Sequence, residues 1–138
     1  MLRRLTFAGD NEFQAKLRHR VNKYFRETGR PRRDSFRQYF KAAVILLAFV
    51  FFYTLLVFLA ETWWQAVPLS ILLALVAAGI GFNIMHDGGH GACSRFGFVN
   101  RFMARCLDVI GGSSYLWHLK HTVLHHSCPN ISGYDTDI

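Results

Sequence analysis

The chain has 138 residues, 51% of them hydrophobic and 13 of them Phe, with a formal net charge of +7 and a mean hydropathy of +0.16. That length makes one small domain if soluble, but the apolar residues are pooled in two blocks, which argues against a soluble domain. Charge is pooled too: 12 of the 16 Lys and Arg lie in residues 1–41, against the four acids Asp10, Glu12, Glu27 and Asp34. A basic arm ahead of apolar blocks points to a membrane protein with a cytoplasmic N-terminus. No nucleic acid is expected as a partner, because the basic residues have no folded aromatic platform.

In chain order, MLRRLTFAGDNEF contains no uninterrupted apolar core, so no cleavable signal peptide is expected. Residues 11–28 read as a helix, capped by Asp10 or Asn11 and stopped by Gly29 and Pro31. Phe13, Leu17, Val21, Tyr24 and Phe25 form its apolar stripe. Lys16, Arg18, Arg20, Lys23 and Arg26 fill much of the rest, and His19 reads as a solvated histidine among them. Such a helix suits an anionic membrane surface or the cytoplasmic part of its own protein. Residues 29–38 form a basic linker.

Residues 42–60 carry no charge over nineteen positions. As a helix at about 1.5 Å per residue they reach roughly 28 Å, close to the hydrocarbon thickness. Glu61-Thr-Trp-Trp-Gln65 has no Lys or Arg and two interfacial tryptophans, which places it on the far side. Residues 66–85 return the chain, with Pro68 expected in the first turn and the small run Ala77–Gly81 open to a close neighbour. The expected fold is therefore an all-α membrane protein: a transmembrane hairpin, 42–60 and 66–85, with His86 emerging at the cytoplasmic boundary.

From Val99 the spacing of Val99, Phe102, Met103, Cys106, Leu107 and Ile110 predicts an interfacial helix, with Asn100, Arg101, Arg105 and Asp108 on its polar face. Gly111–Ser114 breaks it, and a short helix over about 115–126 follows. Three cysteines without CxxC spacing, Cys93, Cys106 and Cys128, read as reduced, small apolar residues.

Six of the seven histidines fall between Asn83 and Asn130. His86 and His90 are four apart and share a helix face, as do His121 and His125, while His126 points about 100° away. Five imidazoles in two such sets at a membrane boundary are hard to accommodate as core, because each must be desolvated and its N–H satisfied. Metal binding is the expected role, with iron, copper, zinc and nickel all suited to nitrogen donors. A zinc-protease HExxH fits poorly, since Asp87 replaces the glutamate and Gly88-Gly89 weakens the helix. Haem needs only one or two axial histidines, and a soluble di-iron bundle would show glutamates that are absent here. An all-histidine site with two metals and open positions for O2 remains.

HDGGH (86–90) resembles the first histidine box of membrane fatty acid desaturases, and HTVLHH (121–126) resembles the second. GFNIMHDGGHGA, LDVIGGSSYLW and HHSCPNISGYDTDI extend the likeness to acyl-CoA and front-end desaturases, linoleoyl-CoA-desaturase-like members in particular. The resemblance implies a non-haem enzyme with two iron ions that uses O2 and two electrons to insert a cis double bond in a fatty acyl chain. A cytochrome b5-type or ferredoxin-type partner would supply the electrons. It implies His86, His90, His121, His125 and His126 as iron ligands and Asp87 as the group that orients a ligand imidazole. His118, outside the box pattern, reads as a surface residue or a support to the site. Tyr115 and Trp117 are candidates to wall the acyl tunnel, or to anchor at the interface, and Asp135 and Asp137 receive no role. Cys128 and Pro129 depart from the aromatic and threonine that relatives tend to carry.

The family's third histidine box has no counterpart in this sequence. The chain therefore reads as a basic arm, 1–41, and a truncated desaturase domain, 42–138, expected to be inactive alone because two irons need more ligands. A histidine-box hydroxylase and a non-catalytic metal-binding hairpin are the competing readings. Acyl chain length, bond position and carrier are not legible.

Overall fold

The computed structural model describes residues 11–135. Asp10, the rest of the leading stretch and Asp137 lie outside them. Among the described residues every regular element is a helix, and they divide into two compact units that meet in sequence at Arg32 and Arg33.

The first unit is built on α1, Glu12–Thr28. It stops at Gly29, whose φ of +62° is the left-handed conformation that only glycine adopts without steric cost. Phe13, Leu17, Val21 and Tyr24 stand exposed along one stripe. Glu12–Lys16 and Lys23–Glu27 pair one turn apart on the polar side. The linker folds back on this helix: Arg30 donates to the Tyr24 hydroxyl, while Arg32 donates to Asn22 Oδ1 and covers the Phe25 ring.

The second unit is organised by two long helices. The first is α2, Phe36–Thr54, continued by a π-helical turn over Leu55–Leu59. The second is α3, Trp63–Ile80, continued by a π-helical turn over Gly81–Met85 and by the single turn α4, His86–Gly89. Their continuous lengths are 24 and 27 residues, and both are long and apolar enough to cross a membrane. The apolar stretches 42–60 and 66–85 lie within them. The helices start earlier because Arg37, Gln38 and Lys41 favour helix as much as the apolar residues do; hydropathy marks only the part suited to hydrocarbon. Gln65 Oε1 accepts from the Glu61 and Thr62 N–H groups and starts α3 at Trp63, so Pro68 stands inside the helix rather than in its first turn.

α2 and α3 lie against each other, with Gly79 facing the Ile45 side chain. The buried core sits at one end of the pair, where Ala42, Ile80, Ile84, Cys93, Met103 and Cys106 meet. Burial raises the Cys93 and Cys106 thiols above their ordinary pKa, which fits their reading as small apolar residues. Leu47, Val50, Phe51, Phe58 and Leu75, towards the other end, are exposed, the outward face expected of helices solvated by lipid.

α5, Gly97–Val109, caps the core end. Its buried stripe differs from the expected one. Asn100, assigned above to the polar face, is buried, and Phe102, assigned to the apolar stripe, is 66% exposed. The reason is a specific pairing: the Asn100 amide accepts from Ser94 N (2.9 Å) and donates to Ser94 O (2.7 Å), which satisfies a buried polar side chain. Ser94 belongs to a clamp on the start of α2. Asp34 accepts from Ser94 Oγ (2.5 Å), Tyr39 Oη (2.6 Å) and Arg95 N (3.1 Å), and its own N–H donates to Cys93 O (2.9 Å). After a Gly111-Gly112 turn, α6, Ser114–Trp117, opens with Ser113 accepting from Leu116 N and runs into a π-helical segment, His118–His125.

Candidate metal centre

Two segments carry the histidines to one place. α4 is the end of the second long helix, so His86 and His90 project from a support anchored in the core. The other three come from the π-helical segment. His86 and His90 rings are 4.5 Å apart, and His121 lies 5.5 and 5.4 Å from them. Ligand nitrogens of these three lie within 4.8 Å of one another. His126 stands 4.8 Å from His90 and 4.9 Å from His121, and His125 stacks on His121 at 5.2 Å.

His126 therefore does not point away from the others. The prediction assumed an α-helix, whereas the His126 N–H donates to the carbonyl of His121, five residues back, at 3.1 Å. That wider period brings residues five apart onto one face. All five imidazoles form one cluster.

The two glycines of HDGGH have packing reasons. A Cβ on Gly88 would meet Ala104 N and Met103 Cβ at 2.7 Å and Asn100 O at 2.9 Å, so α4 crosses α5 at backbone contact. A Cβ on Gly89 would fall on the Trp117 indole. That indole stacks on His121 at 4.7 Å and lies edge-on to His86 and His90 at 5.8 and 5.7 Å. Trp117 is thus a wall of the cluster.

Two carboxylates approach the rings. Asp87 Oδ1 is 3.6 Å from His86 Nδ1, beyond hydrogen-bond distance, while its Oδ2 accepts from Gln38 Nε2 at 3.0 Å. Asp135, given no role from the sequence, has both carboxylate oxygens 2.9 Å from His125 Nδ1. The signal that could have found it is chemical: a ligand histidine usually gives its second nitrogen to a carboxylate or carbonyl, and an acid follows His125 at the end of a tight turn.

The donor set suits a first-row transition metal. It is all imidazole, the nitrogens of His86, His90 and His121 converge, and Asp135 occupies one nitrogen of His125 while leaving Nε2 available. Burial, and then the neighbouring His86, His126 and His121, hold the His90 pKa below the ordinary imidazole range, with Asp87 pulling the other way. The neutral form is the one that ligates.

Beside the cluster lies a cleft of about 610 Å3 lined by Gly88, Gly89, Arg101, Tyr115, Trp117 and His118, among others. His118 is exposed and joins this cleft rather than the contacting rings. Tyr115 is 73% exposed at its edge.

The fold and site define a helical protein with two membrane-length helices and a histidine centre where the second one ends. A family model described as fatty acid desaturase matches residues 61–138, and the chain belongs to the fatty acid desaturase family, oxidoreductases of lipid metabolism. It is 38% identical over 135 residues to an sn-1 linoleoyl-lipid 6-desaturase of Arthrospira platensis, covering 98% of this chain and 37% of that relative. A protein of the same description from Synechocystis sp. is 33% identical, with 98% and 38% covered. An acyl-lipid (8-3)-desaturase of Physcomitrium patens is 32% identical, with 95% and 27% covered. The chain thus spans between 27% and 38% of the length of these relatives. No solved structure matches. The relatives are named as desaturases, which favours neither a hydroxylase nor a non-catalytic hairpin.

Proposed function

We propose that residues 86–126 supply part of the di-iron centre of an acyl-lipid desaturase, with His86, His90, His121, His125 and His126 as ligands. The observation that carries this reading is the convergence of five imidazoles from two segments, three of them with nitrogens within 4.8 Å. Iron bound there would supply the O2 chemistry that removes two hydrogens from an unactivated acyl chain. The protein's own part is to bring the imidazoles together, to wall them with the Trp117 indole and to lay the acyl chain in the adjoining cleft past Tyr115 and Trp117. The substrate would be the acyl group of a membrane lipid, in keeping with the names of the relatives. Electrons would come from a cytochrome b5-type or ferredoxin-type donor on the cytoplasmic side, the side that the charge distribution of the sequence favours for the histidine sets.

Five imidazoles fall short of the on the order of four to five donors that each of two irons takes. The 138 residues alone are therefore proposed not to desaturate. Iron analysis of the detergent-purified chain tests the centre. Wild type should retain iron through gel filtration and His90→Ala with His121→Ala should lose it; equal iron in both would sink the reading. Formation of double bonds by the chain alone, followed by gas chromatography of fatty acids, would overturn the proposed inactivity.

A further inference from the structure

We infer that Asp135 is a positioning residue for His125: it fixes the imidazole as the Nδ1–H tautomer and so leaves Nε2 bare to ligate. The metal-centre reading above gives this its purpose, and the inference rests on that reading only for purpose. Both Asp135 oxygens lie 2.9 Å from Nδ1. A carboxylate only accepts, so the shared proton belongs to the ring nitrogen. Free neutral imidazole favours the proton on Nε2, the nitrogen that must be bare to ligate. The contact reverses that preference.

The turn that carries Asp135 is built to hold it. Its side chain is 0% exposed, and a buried carboxylate left without partners is costly. Asn130 N–H donates to Oδ2 at 2.7 Å, a second constraint that stops the carboxylate rotating away from the ring. Asn130 adopts φ +60° and Gly133 φ +80°, both in the left-handed region that tight turns exploit. The Tyr134 and Asp135 N–H groups both donate to Ile131 O, at 3.0 and 2.9 Å. The segment Cys128–Asp135 thus closes back on the end of the π-helical segment and delivers the Asp135 carboxylate to the His125 imidazole. Asp87 makes the contrast: it is bound by Gln38 and stays 3.6 Å from His86 Nδ1.

The tautomer is read directly, and without metal, from long-range 1H–15N correlation spectra of the 15N-histidine-labelled chain in detergent micelles at alkaline pH. His125 is assigned by the signal lost in His125→Gln. The expected result is a wild-type His125 protonated on Nδ1, with the Nδ1–H fraction falling in the order wild type, Asp135→Asn, Asp135→Ala. Unchanged His86 and His90 signals show that the variants are folded, and Asp135→Asn, which keeps the size and one acceptor, carries the comparison if Asp135→Ala does not fold. A wild-type proton on Nε2, or equal Nδ1–H fractions in wild type and variants, overturns the inference. Cobalt(II) titration of the same proteins should show about 10- to 100-fold weaker binding in Asp135→Ala, with altered visible bands. Absence of metal binding in wild type would count against the metal centre while leaving the tautomer result intact, so the two failures are distinguishable.

Discussion

At the residue scale, the clustering of the five histidines was legible because their four-residue spacing survives in the folded chain. Asp135 was not, since a lone acid in a turn ten residues past His125 carries no periodic signal. Trp117 was read as an anchor or tunnel wall and proves to be both ring partner and cleft wall, because Gly89 leaves the space for it. The glycines separate cleanly. Gly88→Ala should destabilise by about 1–3 kcal/mol, since the new Cβ meets backbone rather than a movable side-chain end. Gly89→Ala should displace the indole from the rings and quench less of its fluorescence on metal addition. Gly79→Ala, with its nearest neighbour Ile45 Cγ2 at 3.6 Å, should be neutral or gain about 0.4–1 kcal/mol. Thermal unfolding of the three variants in detergent checks the order, and a destabilised Gly79→Ala with an unaffected Gly88→Ala would contradict it.

At the element scale, helix existence was legible and helix register was not. Apolar spacing is read against a period of 3.6 residues, and the segment His118–His125 follows a wider one, which is why His126 was sent in the wrong direction. Asn100 escaped for a different reason: polarity predicts exposure only where no partner waits inside, and Ser94 offers both a donor and an acceptor. The clamp around Asp34 yields a pH prediction. Hydrogen bonds from Ser94 first, then Tyr39 and the Arg95 backbone, hold the Asp34 carboxyl below its ordinary value, at about 2. Because the folded pKa is depressed, the unfolded state binds more protons in this window, and stability falls as the pH falls. The contribution is complete above about 4, the ordinary carboxylate value, and is lost as the pH drops through about 2. Asp34→Asn should therefore melt below wild type near neutral pH, and the gap should shrink at about pH 3. Melting followed by circular dichroism at both pH values tests this; a constant gap would exclude Asp34 as its source.

At the scale of the whole molecule, the two long apolar helices were legible because two uncharged apolar runs need no tertiary information. Where the helices begin was less so, as residues 36–41 show, since helix propensity and membrane preference are separate properties. The proposed orientation puts Arg30 and Ser127 on one side and Thr62 on the other. With Cys93, Cys106 and Cys128 replaced by alanine, a cysteine at Thr62 should react with an impermeant maleimide on intact cells. Cysteines at Arg30 or Ser127 should react only after permeabilisation, and the reverse pattern would invert the topology.

The wider hydrogen-bond period beneath the second histidine set also decides which kinds of change this site can absorb. The side chains of Thr122, Val123 and Leu124 can be exchanged for others of similar shape, because the register is held by main-chain bonds such as His126 N–H to His121 O. Chain length cannot. Removing a single residue from the interval would place the two imidazoles four apart, restore an ordinary turn and draw the following Cys128–Asp135 turn round with it, so that Asp135 would lose His125 in the same step. The count of residues in that interval is a tighter constraint on the site than the identity of most of them.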